Sequence, residues 1–503
     1  MNITSPLYRD GFSETGTSYY LLPFRFAKID SCSYCLINEL GDYYFVSLEE
    51  LNDLVEKRLT SKDALYRELR TKHFIVDDTT QGLLDSYITK LRTKKIFITG
   101  FTKLHMIVPT LRCNHSCPYC QVSRVSVDKQ RYDMNNETAK NTINMILRTP
   151  TPHITVEIQG GEPLLNFPII QYIIEYLDDN KEKFNKHIEF VVCTNLSAIS
   201  DDMLTFFKCH NVSISSSLDG PAFLHDANRP KEKRDSHALF CENLKRARDV
   251  LGPNGVAVLM TTTRESLSYA KEIIDEYLRL DFKSIFLRPL NPYGAAVKTG
   301  EHIGYTMEEF LIFYKKAFEY ILALNMSGTD FQEVFAKMIL TKILTPFNTS
   351  FVDCQSPSGA GIGAALYNYD GNVYPADEAR MLAETGDYSF CLGNVNKNSF
   401  EEIFFGSVMQ DIAAVSCNES LAGCSSCAFQ PICGSDPINN YATQGYVLGH
   451  RFDNDRCKKH MEISKYLLSY LKQKNMAVMN VFSSWVSDGT VRHLEIAREC
   501  QSS

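Results

Sequence analysis

The sequence predicts an α/β fold. At its centre is a partial (β/α)6 TIM-like barrel, with a small winged-helix-like unit ahead of it and a cysteine-bearing extension behind it. Three observations carry this. Across 98–300, short apolar runs alternate with amphipathic stretches. Within 1–97, strand-like runs give way to three helical stripes. Beyond 350 long periodic runs thin out, and glycine, turn residues and cysteines take their place.

Each element has its own justification. In 1–97, apolar runs at 21–26 and 35–46, the second broken by Gly41-Asp42, read as a strand-rich sheet with a hairpin. Ser47-Leu48-Glu49-Glu50 is a capping box, and Leu51, Leu54, Val55 and Leu59 follow at helical spacing. A second helix is expected over 61–69. A third, after Thr80, carries Leu84, Tyr87, Ile88 and Leu91 on one stripe. The barrel strands are expected at 104–108, 154–158, 188–192, 212–217, 256–261 and 284–287. Helices lie between them, such as 168–177 with Ile169, Ile170, Ile173, Ile174 and Leu177 on one face. Short apolar strands under helices imply a parallel sheet, and six such units curl into a partial barrel. Chemistry then belongs on the loops after the strands' C-terminal ends. Residues 301–350 read as a helical bridge. The segment 351–480 has too few periodic runs for a large core, so a metal cluster is expected to hold it. A polar tail is expected over 481–503.

Composition narrows the partners. At 503 residues the chain suggests several domains, and 44% hydrophobic with 22% charged residues is a soluble globular balance. A net charge of −8 argues against a nucleic-acid partner. No run of apolar residues is long enough to span a membrane, and the first residues lack signal-peptide features, so a cytoplasmic location is expected. In that compartment sixteen cysteines point to metal or redox chemistry rather than disulfides. Seven of them group: Cys113, Cys117 and Cys120, then Cys424, Cys427, Cys433 and Cys457.

The loop after the first strand reads Cys113-Asn114-His115-Ser116-Cys117-Pro118-Tyr119-Cys120. Three thiolates hold three corners of a four-iron cluster and leave the fourth iron open to a small-molecule ligand. An open metal position marks a catalytic site. The competing tenant is zinc, with His115 as fourth ligand. After the second strand stands Gln159-Gly160-Gly161-Glu162-Pro163, whose glycines allow close backbone approach and whose carboxylate suits an ammonium. The alternative for Glu162 is a helix-entry acid. Thr194-Asn195 follows the third strand. Ser217-Leu218-Asp219-Gly220-Pro221 follows the fourth, with Arg229 twelve residues beyond Ser217. An arginine fork suits a carboxylate, and a surface ion pair is its alternative. Arg288 and Pro292-Tyr293-Gly294 lie beyond the sixth strand. The C-x2-C-x5-C set at 424–433 plus Cys457 would fill every iron of a cluster, and four thiolates fit zinc equally well.

The cysteine triplet at the head of six β/α units resembles the radical S-adenosylmethionine (SAM) enzymes over 104–290. That resemblance implies a SAM-binding [4Fe-4S] cluster on Cys113, Cys117 and Cys120. It also implies SAM contacts from Tyr119, Gly160, Gly161, Glu162, Asn195, Ser217 and Arg229. In it Glu162 holds the methionine ammonium, Ser217 and Arg229 the carboxylate, and Asn195 the nucleoside side. The second cysteine set resembles the SPASM extension of peptide-modifying members, implying one auxiliary [4Fe-4S] cluster on Cys424, Cys427, Cys433 and Cys457. The fuller SPASM pattern is broken. Residues 369–375 run into Ala376 where a cysteine belongs, Asp436 follows Cys433-Gly-Ser, and Cys354 alone remains upstream. A second auxiliary cluster is therefore expected to be absent.

The strings Leu22-Pro23-Phe24-Arg25-Phe26, Leu259-Met260-Thr261-Thr262-Thr263 and 369–382 resemble the B-type maturases of the His-Xaa-Ser peptide systems. The unit 1–97 also resembles a leader-peptide recognition element, which takes an extended peptide on an exposed strand edge. A winged-helix DNA binder using Lys90, Arg92, Lys94 and Lys95 competes with it. The implied function is radical modification of a ribosomal precursor peptide, ending in a side-chain cross-link. The implied partners are that precursor (with His-Xaa-Ser repeats as one candidate), a companion radical SAM maturase, and an electron donor such as flavodoxin or ferredoxin. The alternatives are a sulfatase-maturase-like oxidation and a non-catalytic iron–sulfur scaffold. The sequence names no general base.

Overall fold

The computed structural model describes residues 19–77, 81–231, 235–349 and 351–487. Its central sheet is laid down in chain order. Leu104–Ile107, His153–Ile158, His187–Cys193, Val212–Ser217 and Val256–Leu259 pair successively in parallel. One register row, Ile107–Ile158–Val192–Ile214–Val256, crosses all five strands and is buried throughout. β-Branched residues on a sheet face covered by helices explain why this row sets the register. The helix Phe167–Asn180 buries the predicted stripe Ile169, Ile170, Ile173, Ile174 and Leu177. This is the α/β partial barrel that the sequence predicts.

The sixth parallel strand is not where the pattern put it. Ser284–Ile285 is short and pairs with Gln332–Glu333 in a ladder of its own. The Leu287 amide donates to the Glu333 carboxylate at 3.2 Å instead of to a strand neighbour, which ends the run. Ala364–Tyr367 takes the place, on the opposite edge beside Leu104–Ile107. All four of its residues are buried, so it lacks the alternation that marks a half-exposed strand. Asn372–Tyr374 and Gly393–Asn394 continue the sheet antiparallel, which joins the C-terminal extension to the barrel's first strand.

The N-terminal unit is a three-stranded antiparallel sheet, Phe24–Lys28, Tyr34–Asn38 and Tyr43–Val46, with helices Leu48–Val55, Ala64–Thr71 and Gln81–Lys94. The capping box is present: Ser47 Oγ accepts from Glu50 N at 3.1 Å, and the Glu50 carboxylate accepts from Ser47 N at 2.7 Å. Strand Tyr34–Asn38 serves two cores by its two faces. Leu36 joins Tyr19, Leu54, Leu69 and Phe74 in a small local core. Cys35 and Ile37 enter the main core. Lys472 reaches Asp30 from the last long helix, Asp455–Gln473, and adds a polar link.

Two expectations need correction. The third helix does not bury its stripe: Leu84 is 38% and Ile88 45% exposed. Its C-terminal end is fixed across the junction, with Lys94 Nζ donating to Lys342 O at 2.6 Å and Lys95 Nζ to Glu419 at 2.6 Å. The start of the expected polar tail is not polar in its packing, because Val481, Phe482 and Trp485 are buried in the main core. Residues 488–503 lie outside the described residues. The bridge, made largely of Met307–Met326 and Val334–Leu344, shares that same core and so is not a separate unit. No described helix is long and apolar enough to cross a membrane.

Because the local core is small, Leu69→Ala should destabilise the N-terminal unit by about 2–5 kcal/mol. Hydrogen exchange should accelerate across 20–76 and stay unchanged in the barrel strands. Uniform acceleration throughout the chain would show that the two cores do not act separately.

Candidate functional site

The C-terminal ends of the barrel strands surround a cavity of about 360 Å³. Its first wall is the cysteine loop. Arg112 anchors the loop's start, gripping Asp133 with Nε at 2.8 Å and Nη2 at 2.7 Å, and donating to Leu165 O at 2.7 Å. Cys113 N then donates to Val125 O at 3.0 Å, and Cys120 N to Cys117 O at 3.1 Å. Gly294 sits against the loop's far end, where a Cβ would come within 2.7 Å of Cys120 O. Cys113, Cys117 and Cys120 all face the cavity. Burial pushes the Cys113 and Cys117 thiols up to about 12, so a bound cation is what would release their protons near neutral pH.

The glycine pair forms the second wall and has a sharper task than the sequence reading gave it. A Cβ on Gly160 would lie 2.4 Å from Thr110 O, and one on Gly161 2.3 Å from Arg112 O. The two glycines let the second loop press against the backbone of the first. Glu162 stands behind them, fully buried and outside the cavity lining. Its carboxylate accepts from Thr194 Oγ1 at 2.7 Å, Asn195 N at 2.9 Å and Leu164 N at 3.2 Å. These bonds make Glu162 a latch between the second and third loops and a cap on the short helix that follows. Burial raises its carboxyl to about 7, against the pull of those donors.

Asn195 lines the cavity but its amide is engaged. Nδ2 donates to Asn114 Oδ1 at 2.9 Å, and Oδ1 accepts from Ser197 Oγ at 2.6 Å. Ser217, at the end of its strand, faces the cavity. Beside it Ser216 Oγ is buried without a hydrogen-bond partner. Arg229 is neither a surface side chain nor a free fork. Its Nε donates to Asp219 at 3.0 Å, and its guanidinium lies 5.4 Å from the Tyr119 ring centroid. Asp219, fully buried, also accepts from Tyr119 Oη at 2.5 Å and from Thr261 N at 3.1 Å. This carboxylate ties together three loops, a role that the sequence reading, which named Asp219 only within the Ser217–Pro221 string, did not give it. His115, 4% exposed, lines the cavity with both ring nitrogens unpartnered, and burial lowers it to about 4. Asp377 enters the lining from the C-terminal extension, and nothing local announced it.

The second cysteine set gathers at the far end of that extension. Cys424, Cys427 and Cys433 occupy successive turns, with Cys427 N on Cys424 O at 3.0 Å and Cys433 N on Phe429 O at 3.0 Å. Cys457 opens the helix Asp455–Gln473, its N–H capped by Asn454 at 2.9 Å. Burial raises the Cys457 thiol to about 12, with Cys433, Cys427 and Cys424 as neighbours that add to the effect. Among the described residues, the one His/Cys/Asp/Glu trio with ligand atoms all within 4.8 Å is His237, Cys241 and Glu276, which belongs to neither cysteine set. A tetrahedral zinc thiolate, with bonds of about 2.3 Å, draws its sulfurs to within roughly 4 Å of one another. Among the described residues, neither cysteine set brings three ligand atoms within 4.8 Å of one another.

Three thiols on the first loop of a partial β/α barrel thus face a cavity at the strand ends. Residues 107–277 match the Radical SAM superfamily model, so the chain carries a Radical SAM domain. It is similar to the radical SAM cyclopropyl synthase TigE of Paramaledivibacter caminithermalis, 24% identical over half of this chain and 53% of that protein. Its fold is similar to that of anSMEcpe with bound AdoMet and the Kp18Cys peptide, with a TM-score of 0.61 at 18% identity over 76% of this chain and 99% of that one. It is also similar to that of Streptococcus suis SuiB bound to precursor peptide SuiA, with a TM-score of 0.51 at 14% identity over 86% and 98%. The chain spans 45–65% of the length of the first curated relatives it matches.

Gly161→Ala should force the second loop off the Arg112 carbonyl and distort the cysteine loop. Iron per chain after anaerobic reconstitution should fall by about four, the content of one cluster. Wild-type iron content would show that the loops can part without cost. Glu162 gives a pH signature. Below about 4.5 both folded and unfolded chains hold its proton, while between about 4.5 and 7 the unfolded chain releases it first. Its contribution to stability therefore declines as pH rises through that window and is level above it. Thermal melts of metal-free wild type should show this slope, and Glu162→Gln should lack it.

Proposed function

We propose that the chain is a radical SAM maturase that modifies a ribosomally made precursor peptide, ending in a side-chain cross-link. The observation that carries this is the convergence of Cys113, Cys117 and Cys120 with the Tyr119–Asp219–Arg229 network on one cavity. When bound, a four-iron cluster and SAM supply reductive cleavage of the cofactor and a 5′-deoxyadenosyl radical that takes hydrogen from an unactivated carbon. The chain's own residues supply position and dryness. Arg229, held at a fixed angle by Asp219, offers its guanidinium to a carboxylate, and the Ser216 and Ser217 hydroxyls stand beside it. The Gly160–Gly161 wall shapes the cavity next to the thiols, and the Glu162 latch keeps Asn195 in place.

One auxiliary cluster, on Cys424, Cys427, Cys433 and Cys457, completes the proposal. A second cluster is left out of this reading because the fuller cysteine pattern is broken at Ala376 and Asp436; Asp436 pairs with Arg456 at 3.1 Å and caps Asn439 N at 2.9 Å. The peptide substrate draws support from two similar structures, which hold the Kp18Cys peptide and the precursor peptide SuiA. The N-terminal unit is proposed as the leader site, with exposed Leu84 and Ile88 on its third helix as apolar contacts. The competing DNA reading is less favoured, because Lys94 donates to Lys342 O, Lys95 pairs with Glu419 and Lys90 lies 3.6 Å from Asp42, which leaves, of the four, the exposed Arg92.

Cys113→Ala, Cys117→Ala and Cys120→Ala combined should abolish SAM cleavage and remove about four irons per chain. Full cleavage by that variant would overturn the assignment. Because Cys35 and Ile37 belong to the main core, leader binding is best tested by point changes. Leu84→Glu with Ile88→Glu should leave SAM cleavage intact and weaken apparent precursor affinity by about 10²–10⁴. Tandem mass spectrometry of co-expressed precursor should show loss of two hydrogens with fragmentation blocked between the joined residues.

A further inference from the structure

The loop that bears Cys424, Cys427 and Cys433 is ringed by cationic side chains that donate to main-chain carbonyls. Lys342 Nζ donates to Cys433 O at 3.2 Å and to Cys354 O at 2.5 Å. Arg451 Nη1 donates to Gly423 O at 2.5 Å, directly before Cys424. Arg25, from the N-terminal sheet, donates to Ser425 O between Cys424 and Cys427. Arg456, next in sequence to Cys457, donates to Asp353 O. His460 Nδ1 lies 3.6 Å from Cys433 Sγ.

These cations are not equally balanced. Arg25 has Glu39 at 2.8 Å and Arg456 has Asp436 at 3.1 Å. Lys342 is 7% exposed, and among the described residues no carboxylate lies within ion-pairing distance of it. A buried ammonium held by neutral carbonyls alone is costly unless an anion stands nearby. Cys433 of the cysteine set is among the groups near it able to carry negative charge, with Cys354 and Glu419. A four-thiolate iron cluster is a net anion when oxidised and gains one further negative charge on one-electron reduction.

We propose that Lys342, with Arg25 and Arg451 in support, raises the reduction potential of the auxiliary cluster. This rests on the proposed cluster at Cys424, Cys427, Cys433 and Cys457. The reasoning is electrostatic: a fixed positive charge in a poorly solvated site stabilises the more negative oxidation state, and cluster potentials respond to nearby charge and hydrogen bonds. Lys342 does this from the bridge and Arg25 from the N-terminal unit, so three parts of the chain set one potential.

The test is a spectroelectrochemical titration with electron paramagnetic resonance detection. It uses the full-length chain carrying Cys113→Ala, Cys117→Ala and Cys120→Ala, in which the auxiliary cluster is the iron centre. Lys342→Met should move the midpoint to a more negative value, beyond the spread of replicate titrations, and Lys342→Arg should restore it in large part. Arg25→Gln and Arg451→Gln lie at more accessible positions, and each should shift it in the same direction by less. They also decide the matter should Lys342→Met fail to fold. A reducible four-iron signal with one midpoint in parent and folded variants alike would overturn the proposal while leaving the cluster assignment intact. Zinc in place of iron, with no reducible signal in the parent, would overturn both.

Discussion

Two glycines pressed against the backbone of residues 110–112 set the geometry on which the candidate site depends. With no room for a Cβ at Gly160 or Gly161, the first and second loops form one layer, and Cys113 is held at its edge. Glu162 then extends the layer to the third loop, and Asp219 gathers Tyr119, Arg229 and Thr261 on the other side. The polar groups that hold the loops are carboxylates buried behind or beside the cavity. Their acceptor capacity is used by protein donors, which is what burial demands of them. The cavity is lined by thiols, hydroxyls, an imidazole, the guanidinium groups of Arg124, Arg229 and Arg288, and the carboxylates of Glu157 and Asp377.

The wider architecture follows from one strand added at an unexpected edge. Ala364–Tyr367 beside Leu104–Ile107 brings the C-terminal extension onto the barrel and carries Asp377 into the cavity. The same join holds the second cysteine set at the end of a continuous core, rather than on a separate lobe. Cations from the bridge and the N-terminal sheet converge there because all three parts pack on that core.

Much of this was legible in the sequence. Five of the six expected barrel strands follow from apolar runs at regular intervals, and the cysteine spacings mark both thiol sets directly. The capping box at Ser47 was readable because its physics is local. What escaped reading was non-local. Strand 364–367 is short and wholly apolar, so it has no period, and its partner lies some 260 residues earlier. The roles of Glu162 and Arg229 were assigned from motif position, whereas their hydrogen-bond partners, Thr194 and Asp219, come from other loops or another turn of the same loop. Residues Leu84 and Ile88 had the spacing of a buried stripe, but the fixing of Lys94 and Lys95 across the junction turns that face outward.

The strand Tyr34–Asn38 imposes a constraint on how such a chain can be rearranged. Its odd and even residues belong to different cores, so neither body is complete without the other. A recombination event that exchanged this N-terminal unit for a homologous one would have to carry matching residues at positions 35 and 37, or leave a gap in the catalytic body. The unit that resembles a detachable cassette shares part of its packing with the body beside it.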